Sequence, residues 1–293
     1  MDFLRRLVGR AQRLPPDQAS TAPLDPRKIP GGLIEELRKH VTTGAAQSIG
    51  KERQKNDDAL LVFSGSSESI ERLPDFGLYC VADGLGGYEH GATASAVAVR
   101  SLARSLTQGA ILDLLATEQE DENDAFEELV THAIQQANRD VRAKAEGGAT
   151  TLTTALLAGS QIIIGHVGDS RAYLVNNAGM EQLTRDHSLV HQLVETGTIT
   201  EEEAESHPQR NVLWNAMGKS IDIKVDTHLI DKPEEAYLLL CTDGLWGVVT
   251  DEEIHAIIYE ALNPQMACDA LITAANAGGG PDNVTVVMVH FPD

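Results

Sequence analysis

The sequence predicts an α+β fold in which strands and helices form separate layers. Short runs of aliphatic and β-branched residues, such as ALLVFS at 59–64 and QIIIGHV at 161–167, have the length and composition of buried strands. Several such runs follow one another before a helix-like segment intervenes, whereas a doubly wound parallel sheet alternates strand and helix one for one. The order of elements therefore favours a layered α+β arrangement.

The strand predictions rest on runs of β-forming residues bounded by turn-forming residues. Two of them end in an acid and a glycine, at Asp83-Gly84 and Asp243-Gly244, which indicates a buried strand that presents a carboxylate at its end. In chain order the predicted strands are residues 59–64, 77–82, 150–158, 161–167, 171–175, 223–230, 236–241 and 284–291.

The helix predictions rest on apolar residues that repeat at i, i+3 and i+4. The segment 123–146 shows this pattern, because Phe126, Leu129, Val130 and Ile134 fall on one helical face. In chain order the predicted helices are residues 91–107, 123–146, 187–196, 251–261 and 264–277.

Composition and charge exclude several classes of protein. The 293 residues are 42% hydrophobic, which is enough for a sizeable core, and the net charge of −21 argues against nucleic acid as a partner. No apolar run reaches the roughly 18 residues of a membrane helix. The start of the chain is too charged for a secretory signal, and its three cysteines contain no CxxC pair. We therefore expect reduced thiols and a cytoplasmic location.

Residues 1–43 are predicted to be an N-terminal extension, and residues 44–293 a single domain. The first 14 residues combine apolar positions at helical spacing with four arginines, which fits a basic amphipathic helix for a membrane surface or a partner protein. A frayed terminus explains the same pattern equally well. Residues 15–30 are proline-rich and indicate a linker, and 31–44 could form a short helix that leads into the domain.

Isolated acids at strand ends or in loops are the strongest functional signal. Besides Asp83 and Asp243, they include Asp57, Asp58, Asp169 and Asp282, the last followed by Asn283. One aspartate in a turn usually bonds only its own backbone. Several carboxylates gathered at one sheet edge are costly without a cation, so the pattern predicts a site for Mg²⁺, Mn²⁺ or Ca²⁺.

Such a metal site suits the chemistry of phosphate esters. Two ions about 4 Å apart can activate a water for attack on phosphorus. Arg53 lies four residues before Asp57, and a guanidinium matches the geometry of phosphoryl oxygens. A surface arginine without this role is the alternative.

Seven sequence blocks resemble those of the metal-dependent serine/threonine protein phosphatases of the 2C type, in its bacterial branch. They are RQKNDD, VADGLGGYEHGATAS, GGATTLTTALL, HVGDSRAYL, LTRDHSLV, LLCTDGLWG and GGPDNVTVV, in the family's order and with compatible spacing over about residues 44–291. The resemblance implies a four-layer αββα sandwich, two antiparallel sheets flanked by helices, with a small flap at about 188–219.

The resemblance also implies a role for each acid. Asp83 would bridge two metal ions and the Gly84 carbonyl would bind one of them. Asp243 and Asp282 would complete the first metal site, and Asp57 or Asp58 would serve the second, directly or through water. Asp169 together with Asp243 would form a weaker third site.

Two further residues have implied roles outside the ligand set. Arg53 would hold the substrate phosphate, and Asn283 would support the last metal-binding loop. The implied cofactor is a pair of Mn²⁺ or Mg²⁺ ions, with a third ion at the weaker site.

Three positions depart from the family pattern. Asp57 stands where the family usually has Glu or Gln, which shortens its reach. Leu85 stands where some members have a proton-donating histidine, and nearby His90 is more simply structural. Ala149 replaces a common glycine. Asp186 and His187 are expected to cap the following helix, and Trp214 and Trp246 to serve in packing.

The sequence thus predicts a phosphatase that removes phosphate from phosphoserine and phosphothreonine in proteins and reverses a Ser/Thr kinase. The expected partners are phosphorylated proteins, and the expected oligomeric state is a monomer. Two alternatives stay open: a regulatory scaffold of the same fold without catalysis, and a hydrolase of small phosphate esters. Because the acids are present at every metal position, the sequence favours the enzyme over the scaffold.

Overall fold

The computed structural model describes residues 40–65, 75–85, 90–108 and 123–292 of the chain. The predicted amphipathic segment and the proline-rich linker lie outside these residues. The strands are β1 (Thr42–Ser48), β2 (Ala59–Gly65), β3 (Phe76–Ala82), β4 (Gly84–Leu85), β5 (Ala149–Thr150), β6 (Leu152–Ala158), β7 (Gln161–Val167), β8 (Arg171–Asn176), β9 (Gly179–Gln182), β10 (Asp226–Asp231), β11 (Ala236–Cys241) and β12 (Val284–Phe291). The helices are α1 (His90–Leu106), α2 (Asn123–Lys144), α3 (Leu189–Glu195), α4 (Glu201–Glu205), α5 (Asp243–Trp246), α6 (Asp251–Glu260) and α7 (Pro264–Ala277).

Two five-stranded antiparallel sheets form the centre of the domain. One has the strand order β1-β12-β11-β8-β9, and the other has the order β10-β7-β6-β3-β2. A separate pair, β4 with β5, joins Gly84 to Thr150 and Leu85 to Ala149. Apolar side chains from both large sheets, such as Tyr79, Ala155 and Val287, fill the space between them.

Helices cover the outer face of each sheet. One buried cluster joins α1 and α2 to the sheet that contains β3 and β6, and another joins α6 and α7 to the sheet that contains β11 and β12. The predicted αββα sandwich is therefore confirmed. Among the described residues, no helix is both long enough and apolar enough to cross a membrane.

The pattern of β3 shows why these residues form a central strand. Leu78, Cys80 and Ala82 point into the cluster under α1 and α2, while Tyr79 and Val81 point towards the other sheet. Since side chains alternate between the two faces of a strand, a strand covered on both faces is apolar at every position. The same burial on both faces fixes the end of β3, and with it the place of Asp83.

Several element predictions differ from the structure. Thr42–Gly44, expected to end a short helix, are the start of β1, which pairs with β12. Strand 150–158 is divided at Thr151, because its first residue pairs with β4 rather than with β3. Strands β1, β4, β5 and β9 are short or weakly apolar, so hydrophobic patterning did not reveal them as separate strands.

Candidate active site

A cleft of about 160 Å³ opens where the ends of β3 and β11 meet the loops before β2 and β12. Every predicted site residue except Asp58 lines it: Arg53, Asp57, Asp83, Gly84, Asp169, Asp243, Asp282 and Asn283. The strand ends thus bring together the acids that the sequence placed there. Within the described residues, no histidine lines the cleft.

Asp83 is held by hydrogen bonds to Thr150 and Thr151, where β5 leads into β6. Its backbone N–H donates to Thr151 Oγ1 at 2.9 Å, and Thr150 Oγ1 donates to its carbonyl oxygen at 2.7 Å. Gly84 follows in a tight passage, where a Cβ atom would collide with the carbonyl oxygens of Asp57 and Gly91. Only glycine fits here, because the backbone of three segments meets beside the cleft.

The two adjacent acids of the RQKNDD block have different surroundings. Asp57 lines the cleft, and its backbone N–H donates to Asn283 Oδ1 at 2.8 Å. Asp58 lies behind it and accepts from Thr285 Oγ1 at 2.6 Å and Thr242 Oγ1 at 3.0 Å. The structure therefore separates two residues that the sequence left as alternatives.

Asn283 ties three loops together at the cleft. Its Nδ2 donates to the carbonyl oxygens of Ile49 and Lys55, each at 2.9 Å, while its Oδ1 accepts from Asp57. Its backbone N–H donates to Asp282 Oδ1 at 2.8 Å. One buried amide thereby fixes the loop of Asp57 against the loop of Asp282.

Arg53 reaches over the cleft from an exposed position. Its Nη2 donates to Asp282 Oδ2 at 2.6 Å, and 54% of its side chain is exposed. This hydrogen bond raises the pKa of Arg53 above its ordinary value, so the guanidinium stays charged.

The clustered carboxylates of the cleft repel one another when no cation is bound. Burial, followed by the charges of neighbouring acids, raises the pKa of Asp83 and Asp169 well above the usual range. Burial also raises the pKa of Asp243 to about 6 and that of Asp58 to about 7. Each shift has the same physical cause, which is that negative charges are withdrawn from water beside one another.

The donor set fits a hard divalent cation. Among the described residues, Asp57 Oδ1, Asp58 Oδ1 and Asp243 Oδ1 are buried without a hydrogen-bond donor. In the same part of the chain, no three acidic, His or Cys side chains are grouped closely enough to hold an ion as they stand. The acids therefore surround the cleft as separate oxygen donors, the type that Mg²⁺ and Mn²⁺ prefer.

Asp169 follows a turn that is linked to the Asp83 loop. Gly168 before it has φ of +113°, a conformation that side chains rarely adopt. Ser170 Oγ after it lies 2.7 Å from Thr151 Oγ1, the hydroxyl that accepts from the N–H of Asp83. The Asp83 and Asp169 loops are thus joined by two hydroxyl groups.

Asp186 and His187 do not cap the helix that follows them, contrary to the prediction. Ser188 is the N-cap of α3, since its Oγ accepts from the backbone N–H of His191. Asp186 instead pairs with Arg171, whose Nη2 donates to Asp186 Oδ2 at 2.8 Å. His187 is buried against the Gly168 turn, where its Nδ1 faces the Gly168 N–H at 3.2 Å.

Both tryptophans pack as predicted. The Arg171 guanidinium stacks on the Trp246 ring at 3.6 Å, and Trp246 belongs to the short helix α5 that begins with Asp243. The Trp214 ring lies 4.8 Å from the His187 ring, although 40% of Trp214 stays exposed.

Three residues of the cleft were missed as site residues by the sequence reasoning. Leu85 was noted only as a departure from the family pattern, and Asn211 and Leu213 only as part of the flap. Nothing in the sequence marks Asn211 or Leu213, because their place on the cleft wall depends on how the flap folds back. Ala149 sits in β5 beside Leu85, as its backbone pairing shows.

Comparisons with known proteins agree with this fold. Residues 47–271 match the family model described as Protein phosphatase 2C. The serine/threonine phosphatase stp of Listeria innocua is 38% identical over 247 residues, which cover 82% of this chain and 92% of that protein. The chain therefore belongs to the protein phosphatase 2C family, as predicted.

Solved structures extend the agreement to the backbone. The serine/threonine phosphatase PstP/Ppp of Mycobacterium tuberculosis has a TM-score of 0.70 at 32% identity, covering 86% of this chain and 99% of that chain. A catalytic domain of PstP, solved in complex with two manganese ions, has a TM-score of 0.70 at 28% identity, covering 86% and 99%. The predicted enzyme class, a metal-dependent serine/threonine phosphatase, is confirmed by this membership.

Proposed function

We propose that this chain removes phosphate from phosphoserine and phosphothreonine side chains of proteins by direct attack of water on phosphorus. The observation that carries the proposal is the cleft itself, where five carboxylates and one arginine meet at the strand ends of the sandwich. When bound there, Mn²⁺ or Mg²⁺ supplies an activated water and neutralises negative charge on the phosphoryl group.

The residues of the cleft divide this work between them. Asp83, Asp243 and Asp282 are the proposed ligands at the centre, together with the carbonyl oxygen of Gly84. Support comes from the position of all four on the cleft wall and from the unpartnered Oδ1 of Asp243. Arg53 exchanges its bond with Asp282 for the phosphoryl oxygens of the substrate, to which it donates in a two-pronged manner.

The other acids have lesser proposed roles. Asp57 is the proposed ligand or water-orienting group of the second ion, since it lines the cleft, and Asp58 supports it from behind. Asp169 is proposed to form the weaker third site with Asp243. Support comes from the position of both residues on the cleft lining; after burial, the charge of Asp243 is the largest cause of the raised pKa of Asp169.

Substrates larger than a simple ester fit the open side of the cleft. Asn211 and Leu213 stand on the wall beside the acids, and they add an amide and an apolar surface to an otherwise charged site. A peptide that carries the phosphorylated residue extends past the metal ligands to this wall, whereas a small ester does not. The wall favours a phosphoprotein over a small ester as the substrate.

The partner and location remain as proposed from the sequence. We propose that the chain acts as a monomer in the cytoplasm and opposes a Ser/Thr kinase. Its three cysteines are buried free thiols, which suits a reducing compartment. The N-terminal extension, residues 1–43, is proposed to dock on a membrane surface or a partner, and residues 44–293 to form the catalytic domain.

The test is phosphate release from a phosphothreonine peptide by the full chain, with Mn²⁺ and then with excess chelator. Release should require Mn²⁺ and disappear in Asp243→Asn. The matched control is Asp222→Asn, which removes an exposed acid away from the cleft lining and should retain activity. Absence of release with Mn²⁺, on peptide and on p-nitrophenyl phosphate alike, would leave the scaffold alternative.

A further inference from the structure

The segment Asp186–Ser188, of which Asp186 and His187 were expected to cap a helix, leads from the cleft side of the domain into the flap (residues 188–219). Asp186 faces one side, where it pairs with Arg171, and Ser188 faces the other, where it forms an antiparallel bridge with Leu213. His187 between them is buried and contacts both sides. The contacts of His187 therefore link the Asp169 loop to the flap, beside a second link in which Met217 pairs with Thr150 near Asp83.

On the cleft side, His187 holds both polar atoms of the Gly168 backbone. The backbone N–H of His187 donates to the Gly168 carbonyl oxygen at 2.7 Å, and the ring Nδ1 of His187 accepts from the Gly168 N–H at 3.2 Å. Gly168 precedes Asp169 in the tight turn at the edge of the cleft. A shift of His187 would therefore shift the turn that presents Asp169.

On the flap side, His187 contacts Trp214 and Asn215, the two residues that follow Leu213 of the cleft wall. The N–H of Trp214 donates to the His187 carbonyl oxygen at 3.0 Å, and the two rings lie 4.8 Å apart. Asn215 Nδ2 donates to His187 Nδ1 at 2.8 Å. These bonds hold Trp214 and Asn215 in place next to Leu213, which lines the cleft.

The hydrogen bonds around the His187 imidazole are satisfied when the ring is neutral and carries its proton on Nε2. Nε2 lies 3.1 Å from Asp226 Oδ2 and donates to it, while Nδ1 accepts from two N–H groups, so the hydrogen bonds assign the neutral Nε2–H tautomer. Burial lowers the pKa of His187, in keeping with a neutral ring.

We propose that His187 is a positioning residue that holds the wall of Asn211 and Leu213 over the cleft, and thereby sets how well a phosphopeptide is used relative to a small ester. This inference rests on the proposed phosphatase function. A small ester would be held by Arg53 and the metal ions alone, so it is less sensitive to the wall. A peptide extends to the wall, so its binding depends on where His187 keeps it.

The experiment compares two variants with one control in the full chain. His187→Leu removes all three hydrogen bonds of the ring, to Gly168, Asn215 and Asp226. His187→Asn retains an acceptor near Nδ1 while it loses the donor to Asp226. The control is His166→Asn: this buried ring lies 4.9 Å from His187, but its hydrogen bonds go to Thr153 and to the Arg185 carbonyl oxygen rather than to the wall.

Three quantities are measured for each protein: kcat and KM with a phosphothreonine peptide, the same with p-nitrophenyl phosphate, and the melting temperature. In His187→Leu we expect the ratio of peptide to ester kcat/KM to fall about tenfold, mostly through a higher KM for the peptide. His187→Asn should recover part of the ratio, and His166→Asn should keep the wild-type ratio even where its melting temperature drops.

Equal losses on both substrates, or the same ratio change in His166→Asn, would overturn the proposal and leave His187 with a structural role only. If His187→Leu does not fold, Trp214→Ala removes the partially exposed flap side of the contact and should lower the same ratio; an unchanged ratio there also overturns the proposal.

A second readout does not depend on activity. Cleavage by a glutamate-specific protease within α4 (Glu201–Glu205) should be faster in the His187 variants than in the wild type, because the flap is released from the turn. Unchanged cleavage would contradict the proposal. Wild-type protein that hydrolyses neither substrate would refute the proposed function, and the protease result would then decide the role of His187 alone.

Discussion

Arg53 and Asp282 form an ion pair across the cleft, with 2.6 Å between Nη2 and Oδ2. The pair joins the residue proposed to hold the substrate phosphate to a residue proposed to hold a metal ion. If Asp282 holds a cation as proposed, the cation would compete with Arg53 for the same carboxylate and would free the guanidinium for an anion. Under the proposed function, metal loading and phosphate binding would then be coupled through this one contact.

Arg53→Ala should lower kcat/KM for a phosphopeptide about 100-fold, because a charged donor to the phosphoryl oxygens is lost. Arg53→Lys should recover part of the loss, since lysine keeps the charge but not the two-pronged geometry. Steady-state kinetics at saturating Mn²⁺ measures both. Arg100→Ala, which removes an exposed arginine of α1, serves as the control and should behave as wild type. An Arg53→Ala protein with wild-type kcat/KM would exclude the proposed role.

Asp83→Asn should have opposite effects on activity and on metal-free stability. Metal-dependent turnover should fall about 1000-fold or more, as a charged ligand is lost at the centre of the site. The melting temperature in chelator should rise, because burial and neighbouring acids disfavour the charged form of Asp83. Thermal scans with chelator and with Mn²⁺ test this, and a lower melting temperature in chelator would contradict the electrostatic account.

The stabilisation by Mn²⁺ should depend on pH in a defined direction. Burial raises the folded-state pKa of Asp243 to about 6 and of Asp58 to about 7, above the value of an unfolded aspartate. For carboxyls with raised pKa, the charged form is disfavoured in the folded state, so the metal-free chain loses stability as the pH rises from about 4 through about 7. Protons also compete with the ion for these groups.

The measurement is the difference in melting temperature between Mn²⁺ and chelator. It should be larger at about pH 8 than at about pH 6, because fewer protons must be displaced and more repulsion is relieved. Asp58→Asn should reduce this dependence on pH. A difference that is equal at both pH values would show that these carboxyls are already charged at the lower pH.

Asn283→Ala should destabilise the fold by about 1–3 kcal/mol, since it leaves the Asp57 N–H and two carbonyl oxygens without their partner. Urea unfolding in chelator measures this. Because the loops of Asp57 and Asp282 are then no longer fixed together, calorimetry should also show weaker Mn²⁺ binding. Asn177→Ala, in the exposed turn between β8 and β9, is the control for loss of an asparagine.

The sequence could predict the acids of the site because local pattern and position coincide there. Asp83 directly follows β3 and Asp243 lies two residues after β11, and both strands are buried on both faces, so the apolar run itself indicates where the carboxylate emerges. The arrangement of the sheets and helices in separate layers could also be predicted, because runs of strands alternate with amphipathic helices along the chain. Here the local physics of each segment agrees with the global fold.

The rest of the site depends on contacts between distant segments. His187 bonds the Gly168 turn, Asn215 and Asp226, and no short pattern distinguishes it from a helix-capping neighbour of Ser188. Similarly, β1 is a polar and glycine-containing segment that forms a strand because its backbone pairs with β12 at the edge of the sheet. Such residues take their place from tertiary packing, which overrides local propensity.

The unpartnered oxygens of Asp57 and Asp243 have a consequence for directed evolution of this chain. Neutral substitutions at the cleft relieve repulsion, so a screen for heat resistance carried out in chelator would reward the variants that, under the proposed function, cannot turn over substrate. The same screen carried out in Mn²⁺ would penalise these variants, because the loss of a proposed metal ligand would weaken Mn²⁺ binding and so reduce the stabilisation that the ion gives to the folded state. The metal content of the selection medium therefore decides whether thermostable descendants remain enzymes.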